Sequence, residues 1–163
     1  MDLIEFKQRY IRALPEVPEG LNLGLDEFHL FDPSAKGASL LNKEDYEHLV
    51  SVGLPVQAPP FLSFGDYLDW DYDADRYFPI GSDGAGNNIC IDINTRDVVL
   101  LDHDWDMKRI FINSSLDKFA ECLCVFQEAV RAESFDQCLG LMTGVDGKLV
   151  KSGDWWANEV EQS

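Results

Sequence analysis

Basic residues are scarce in this chain. Its 163 residues set 13 lysines and arginines against 30 aspartates and glutamates, a formal net charge of −17. A field of that sign repels nucleic-acid phosphates and anionic membrane surfaces and draws basic partners, so no direct contact with nucleic acid or membrane is expected. A long apolar run is lacking as well. The longest uncharged stretch, Leu49 to Gly65, is broken by Pro55, Pro59 and Pro60 and cannot form a spanning helix. The N-terminal MDLIEFKQRY interleaves charges with its apolar residues and offers no signal-peptide core. Cys90, Cys122, Cys124 and Cys138 therefore read as free thiols in a reducing compartment, and a cytoplasmic protein is expected.

The motifs of several chemistries are also missing. There is no CxxC, no HExxH and no GxSxG. Cys122 and Cys124 lie two apart on an expected helix, about 200° around its axis, and so cannot readily share one metal. His29, His48 and His103 are scattered; His103, between two aspartates, is the one candidate base, and it reads more simply as a solvated loop histidine. The alternating aspartates of DWDYDAD and DHDWD suggest calcium, but an EF-hand loop needs glycine sixth and glutamate twelfth. Started at Asp69, those places hold Ala74 and Ile80; at Asp71, Arg76 and Ser82; at Asp102, Met107 and Asn113. No metal, cofactor or catalytic residue is expected.

The stretch IGSDGAGNNICIDIN (80 to 94) poses the sharpest question, because Gly81, Asp83, Gly84 and Gly86 resemble a phosphate-cradling loop. Such a loop leads into a helix and keeps a lysine nearby. Here the alternation from Asn87 to Ile93 indicates a strand, and no lysine or arginine lies between Arg76 and Arg96. Gly81, Asp83, Gly84 and Gly86 are read as a structural hairpin turn, in which glycine supplies positive φ cheaply.

Elements are legible elsewhere. Leu3, Phe6, Tyr10 and Leu14 recur at helical spacing over 2 to 14, before Pro15. A short strand is expected at Phe28 to Phe31, and a helix over 43 to 52 entered through Asn42 and Asp45. Phe61 to Phe64, Tyr77 to Ile80, Asn88 to Ile93, Val98 to Leu101 and Lys108 to Ile112 are short runs rich in β-formers. Their tight connections leave no room for crossover helices. Ser114 is expected to cap a long helix whose Leu116, Phe119, Ala120, Leu123, Phe126 and Val130 share one face. Phe135 to Met142 suggests a short helix, Gly144 to Gly153 a turn-rich link, and Asp154 the cap of a last helix carrying Trp155, Trp156 and Val160. The fold class is α+β: one domain over 1–163, with a mainly antiparallel meander sheet of about five to six strands and flanking helices.

Acidic residues gather in two places. Asp66, Asp69, Asp71, Asp73 and Asp75 interleave with Tyr67, Trp70 and Tyr72; Asp102, Asp104 and Asp106 surround Trp105. One reading is a solvated loop pinned by core aromatics. The other is a docking surface for a basic protein, steered by the carboxylates and anchored by the aromatics. If the sheet joins the two segments, they form one negative rim around Trp70, Tyr72 and Trp105.

GLPVQAPPFLSF (53 to 64), IGSDGAGNNICIDINTRDVVLLDHD (80 to 104) and FINSSLDKFAECL (111 to 123) resemble the SUKH superfamily of bacterial immunity proteins, and within it the fourth immunity subfamily. The similarity rests on Gly81, Asp83, Gly84, Gly86, Asp92, Val98, Asn113, Ser114, Ser115 and Phe119. It covers 48 to 131, with WWANEV (155 to 160) similar to a C-terminal helix of that family. Thr95-Arg96-Asp97 stands where the family commonly places a glycine. The resemblance implies an α+β, SUKH-like fold and a non-catalytic role: neutralising a cognate polymorphic toxin, frequently a nuclease or deaminase, by binding it. Two alternatives stand beside it: a regulatory or scaffold protein of the same fold that binds a cellular partner, and a small-ligand or metal-binding enzyme using the Gly81–Asn87 loop.

Overall fold

The computed structural model describes residues 1–66, 73 and 75–163. Helix α1 (Leu3–Arg12) starts where the Asp2 carboxylate accepts from Glu5 N at 2.8 Å. Strand β1 (Phe28–His29) pairs antiparallel with β2 (Leu54–Pro55), and between them lies α2 (Lys43–Ser51). Asn42 caps α2 by accepting from Asp45 N at 2.8 Å, a bond worth about 1 kcal/mol.

The main sheet is an antiparallel meander of β3 (Gln57–Ala58), β4 (Leu62–Phe64), β5 (Tyr77–Ser82), β6 (Asn88–Asp92), β7 (Val98–Asp102) and β8 (Lys108–Asn113), in that spatial order. Helices α3 (Leu116–Ala132), α4 (Cys138–Val145), α5 (Leu149–Ser152) and α6 (Asp154–Glu161) follow. The α+β class and the antiparallel meander expected from the sequence are present. Several boundaries move. The long helix is capped by Ser115, which accepts from Lys118 N, and not by Ser114. The expected 135–142 helix sits three residues later, and the 144–153 link contains α5. Asp154 opens α6 without a capping bond, at a Gly153 N-cap. Phe61 precedes β4 as an exposed residue rather than belonging to it.

Alternation along the strands divides the core. Ile89, Ile91, Val98 and Leu100 face the helices, where Phe119, Leu123, Phe126 and Trp156 meet them. Phe119 contacts Phe64 and Trp156 with ring centroids 5.8 and 6.2 Å apart. Cys90, Val99 and Leu101 form a second, smaller cluster with Tyr77 and Met107. Helix α3 is buried beyond its single stripe, since Cys122, Cys124, Val125 and Gln127 are covered too, with α1 and α4 packed against it.

Polar clamps join these layers. Asp146, fully buried, accepts from Asn113 Nδ2 (3.1 Å), Ser114 N (2.8 Å), Ser114 Oγ (3.0 Å) and Lys148 N (3.2 Å). Asn113 in turn accepts from Trp156 Nε1 at 2.8 Å. One carboxylate thereby ties β8, the start of α3, the α4–α5 connection and α6. Burial alone would push the Asp146 carboxyl up; the bonds from Ser114 and Asn113 outweigh it and hold it below its ordinary range. Asp92 behaves likewise: burial opposes its charge, but Arg76 and Arg109, each 3.2 Å away, and the Asn94 amide win.

Arg96 takes a left-handed φ of 68°. Its guanidinium reaches Glu44 (3.2 Å) and the buried Asp45 (3.3 Å), clamping the β6–β7 turn to α2. The ion pairs offset a conformation that costs a side chain about 1–2 kcal/mol.

Two expectations follow. Arg96→Gly loses the clamp but relieves the strain, whereas Arg96→Ala only loses the clamp; chemical denaturation should find the glycine variant more stable by about 1 kcal/mol, and equal stabilities would refute the strain. Asp146→Ala, which strands buried donors, should cost roughly 3 kcal/mol or more. Because Asp92 and Asp146 have depressed folded pKa values, their contribution is complete above the unfolded carboxylate pKa and is lost as pH falls through the folded values. An Asp146→Asn variant should show a flatter loss of stability in acid than the parent; an unchanged slope would exclude this role.

Candidate functional site

The β5–β6 hairpin closes on its own carboxylate. Asp83 Oδ1 accepts from Ala85 N (2.9 Å) and Asn87 N (2.8 Å), Oδ2 from Asn87 Nδ2 (3.1 Å), and Asp83 O from Gly86 N (3.2 Å). The amides that a phosphate would require are committed to Asp83. Gly86 supplies the positive φ, 84°. Gly81 lies within β5, not in the turn; a Cβ there would stand 2.5 Å from Ser63 O, so it permits the close approach of β4. Gly84 abuts Phe61, whose Cβ would lie 2.8 Å from an added Cβ.

Asn87 joins this hairpin to the next connection. Its Oδ1 accepts from His103 N at 3.1 Å and also contacts His103 Nδ1. Residues His103–Trp105 form a 3-10 turn, held by the Asp102 carboxylate, which accepts from Asp104 N at 3.0 Å. Asp106 and Met107 then both adopt positive φ, 53° and 59°, and turn the chain into β8. This sharp reversal leaves the Trp105 ring 72% exposed, and Phe61 at the head of β4 is 79% exposed. From the strand spacing, about 14 Å separates the strands carrying these rings. Between them lie Asp83, Asp102, Asp104 and Asp106. Glu159 of α6 adds to this end, its carboxyl pushed up by burial and by the nearby Asp83 charge. Among the described residues no lysine or arginine pairs with Asp102, Asp104 or Asp106, and Asp104 meets only His103, at 3.3 Å. Phe61 also lines an apolar groove of about 450 Å³ with Tyr10, Pro59, Pro60, Leu62 and Val130.

The sheet does not unite the two acidic segments into one rim through their described residues. Asp75 leads into β5 at Tyr77, which pairs with Asp92, whereas Asp102 closes β7 beside Lys108. Successive meander connections alternate between the two ends of the sheet, about 17–20 Å apart along a strand such as β5. At that far end Asp66 meets His29 Nε2 at 2.7 Å, and Asp73 Oδ1 accepts from Asp75 N at 3.2 Å. Asp69, Trp70, Asp71 and Tyr72 lie outside the described residues. Asp92, one of the residues on which the sequence resemblance rests, is a buried clamp.

All four cysteines are buried and free. Burial pushes Cys122 and Cys124 up to about 12 and Cys138 up to about 11, so these thiols stay protonated at neutral pH. Among the described residues no group of three or more His, Cys, Asp or Glu side chains is placed to hold a metal ion. No helix among them is long and apolar enough to cross a membrane.

Phe61 and the Asn87–His103 stitch were not recognised as site features in the sequence. Phe61 sits in an apolar run that reads as strand, and the stitch depends on β6–β7 register.

The protein is an α+β frame whose sheet end presents the exposed Phe61 and Trp105 among carboxylates. The chain belongs to the SUKH-4 immunity protein family, whose model matches residues 21–139. Neither curated proteins nor solved structures yielded a match. Immunity proteins act by binding a cognate toxin, so the family indicates a protein partner.

For the hairpin, Gly86→Ala should cost about 1–2 kcal/mol through its left-handed φ, and Gly81→Ala more, through collision with β4. Calorimetric titration of the folded parent with ATP or Ca²⁺ should give no saturable heat. Saturable heat abolished in a Gly86→Ala variant of unchanged melting temperature would make the hairpin a ligand loop.

Proposed function

We propose that this protein is a non-catalytic, cytoplasmic immunity protein that neutralises a basic toxin domain by docking through the acidic sheet end. The observation that carries this reading is the pair of exposed aromatics, Phe61 and Trp105, flanking Asp83, Asp102, Asp104 and Asp106. Exposed aromatic rings bring large apolar area that anchors an interface when it docks, and the carboxylates around them steer a cationic partner. Toxins that act on nucleic acid, nucleases and deaminases among them, need a basic groove for the phosphates, and an acidic end with projecting rings suits such a groove. Asp66, Asp73 and Asp75 belong to the opposite sheet end; in this reading they strengthen the long-range field, with contact concentrated at the Trp105 end.

The experiment is surface plasmon resonance against a cognate toxin domain, at two salt concentrations. Asp102, Asp104 and Asp106 replaced together by Asn should slow association several-fold and flatten its salt dependence. Trp105→Ala should leave the melting temperature unchanged, because the ring is largely solvated, and speed dissociation by tenfold or more. Parental kinetics in both variants would move the interface elsewhere.

A further inference from the structure

The corner where β8 meets α5 carries the opposite charge from the rest of the molecule. Arg109 and Phe111 of β8 and Lys148, Val150 and Lys151 of the α5 segment line an open groove of about 690 Å³, together with Asp97. Asp97 is taken up by Arg109 at 2.9 Å, and Arg109 also holds Asp92. Lys148 and Lys151 are exposed and make no ion pair among the described residues. A third lysine reaches the same corner: Lys118 Nζ donates to Ser114 Oγ at 3.3 Å, and Ser114 is bonded to Asp146, two residues before Lys148. The floor is apolar. Val150 is 74% exposed, and Phe111 is half-buried at the margin of the main core.

In a chain of net charge −17, uncompensated lysines beside an exposed apolar floor are out of keeping with the general surface. Charge complementarity selects the occupant. We infer that this groove takes an extended acidic-aliphatic segment of a protein partner, with carboxylates on Lys148 and Lys151 and an aliphatic side chain against Phe111 and Val150. Three residues apart, one at the N-cap of α5 and one within its single turn, the two lysines stand about 5–6 Å from each other, close to the spacing of alternate side chains along an extended strand. The overall field opposes a distant acidic segment, so recognition here is short-range. Added salt should screen that repulsion and speed association at this groove, the reverse of its effect on a basic partner at the Trp105 end. The inference is independent of the toxin-docking surface, which lies on different elements.

The test is fluorescence anisotropy of a fluorescein-labelled decapeptide alternating Glu and Val, titrated with the whole protein. Saturable binding is expected. Lys148→Glu with Lys151→Glu should weaken it at least about fivefold. Arg12→Glu with Lys36→Glu, an equal change in net charge at exposed positions that do not line the groove, should leave the affinity within about twofold, so that a local contact is separated from the global field. Circular dichroism melting should show both double variants folded. Absence of saturable binding, equal loss in the two double variants, or displacement of the peptide by low-millimolar inorganic phosphate would overturn the inference; the last would mark a small-anion site.

Discussion

Cations are the limiting resource in this molecule, and their placement organises the rest. Of the arginines, all but Arg12 are drawn into tertiary clamps. Arg9 binds Glu121 and Glu128, holding α1 on α3. Arg76 and Arg109 neutralise the buried Asp92. Arg96 ties the β6–β7 turn to α2, and Arg131 caps the Leu14 carbonyl beyond α1. An exposed ion pair contributes about 0–1 kcal/mol, while stranding a buried charge costs about 3–5 kcal/mol. Cations used inside therefore matter more to the fold than cations spent balancing the surface. The carboxylates left without arginine partners are then free to build an outward field.

Topology decides where that field is concentrated. A meander places its connections at alternate ends, so the β5–β6 and β7–β8 connections share an end while Asp75 and Arg76, leading into β5, lie at the other. Asn87 makes the shared end rigid by joining the Asp83 hairpin to His103. Trp105 is exposed because the turn that carries it is fixed from both sides, by Asp102 before it and by the left-handed pair Asp106 and Met107 after it. The elements outside the family match complete the same core: Phe6 and Tyr10 of α1 and Trp156 of α6 are buried in it.

Local signals in the sequence were reliable where a single segment carries its own physics. Asn42 with Asp45, the α3 stripe and the short β-rich runs all predict their elements within a few residues. Ser114 misled because two serines adjoin, and only the partner Asp146, 32 residues away, determines which one is free to cap. The prolines of 54–60 concealed β2 and β3, which survive as two-residue pairings at a sheet edge. The candidate site was half legible. Composition exposes the acidic cluster around Trp105, but that it shares a sheet end with the Asp83 hairpin depends on meander register, and Phe61 looked like any core aromatic.

The proposed docking surface is the end of the sheet bearing Phe61, Asp83–Asn87 and Asp102–Asp106. Hydrogen–deuterium exchange of the protein with and without its toxin domain tests this most directly. The account predicts new protection in 83–87 and 102–107, with little change at α5 and at residues 93–97. Protection confined to 93–97 or to α5, with 83–87 and 102–107 exchanging as in the free protein, would contradict it.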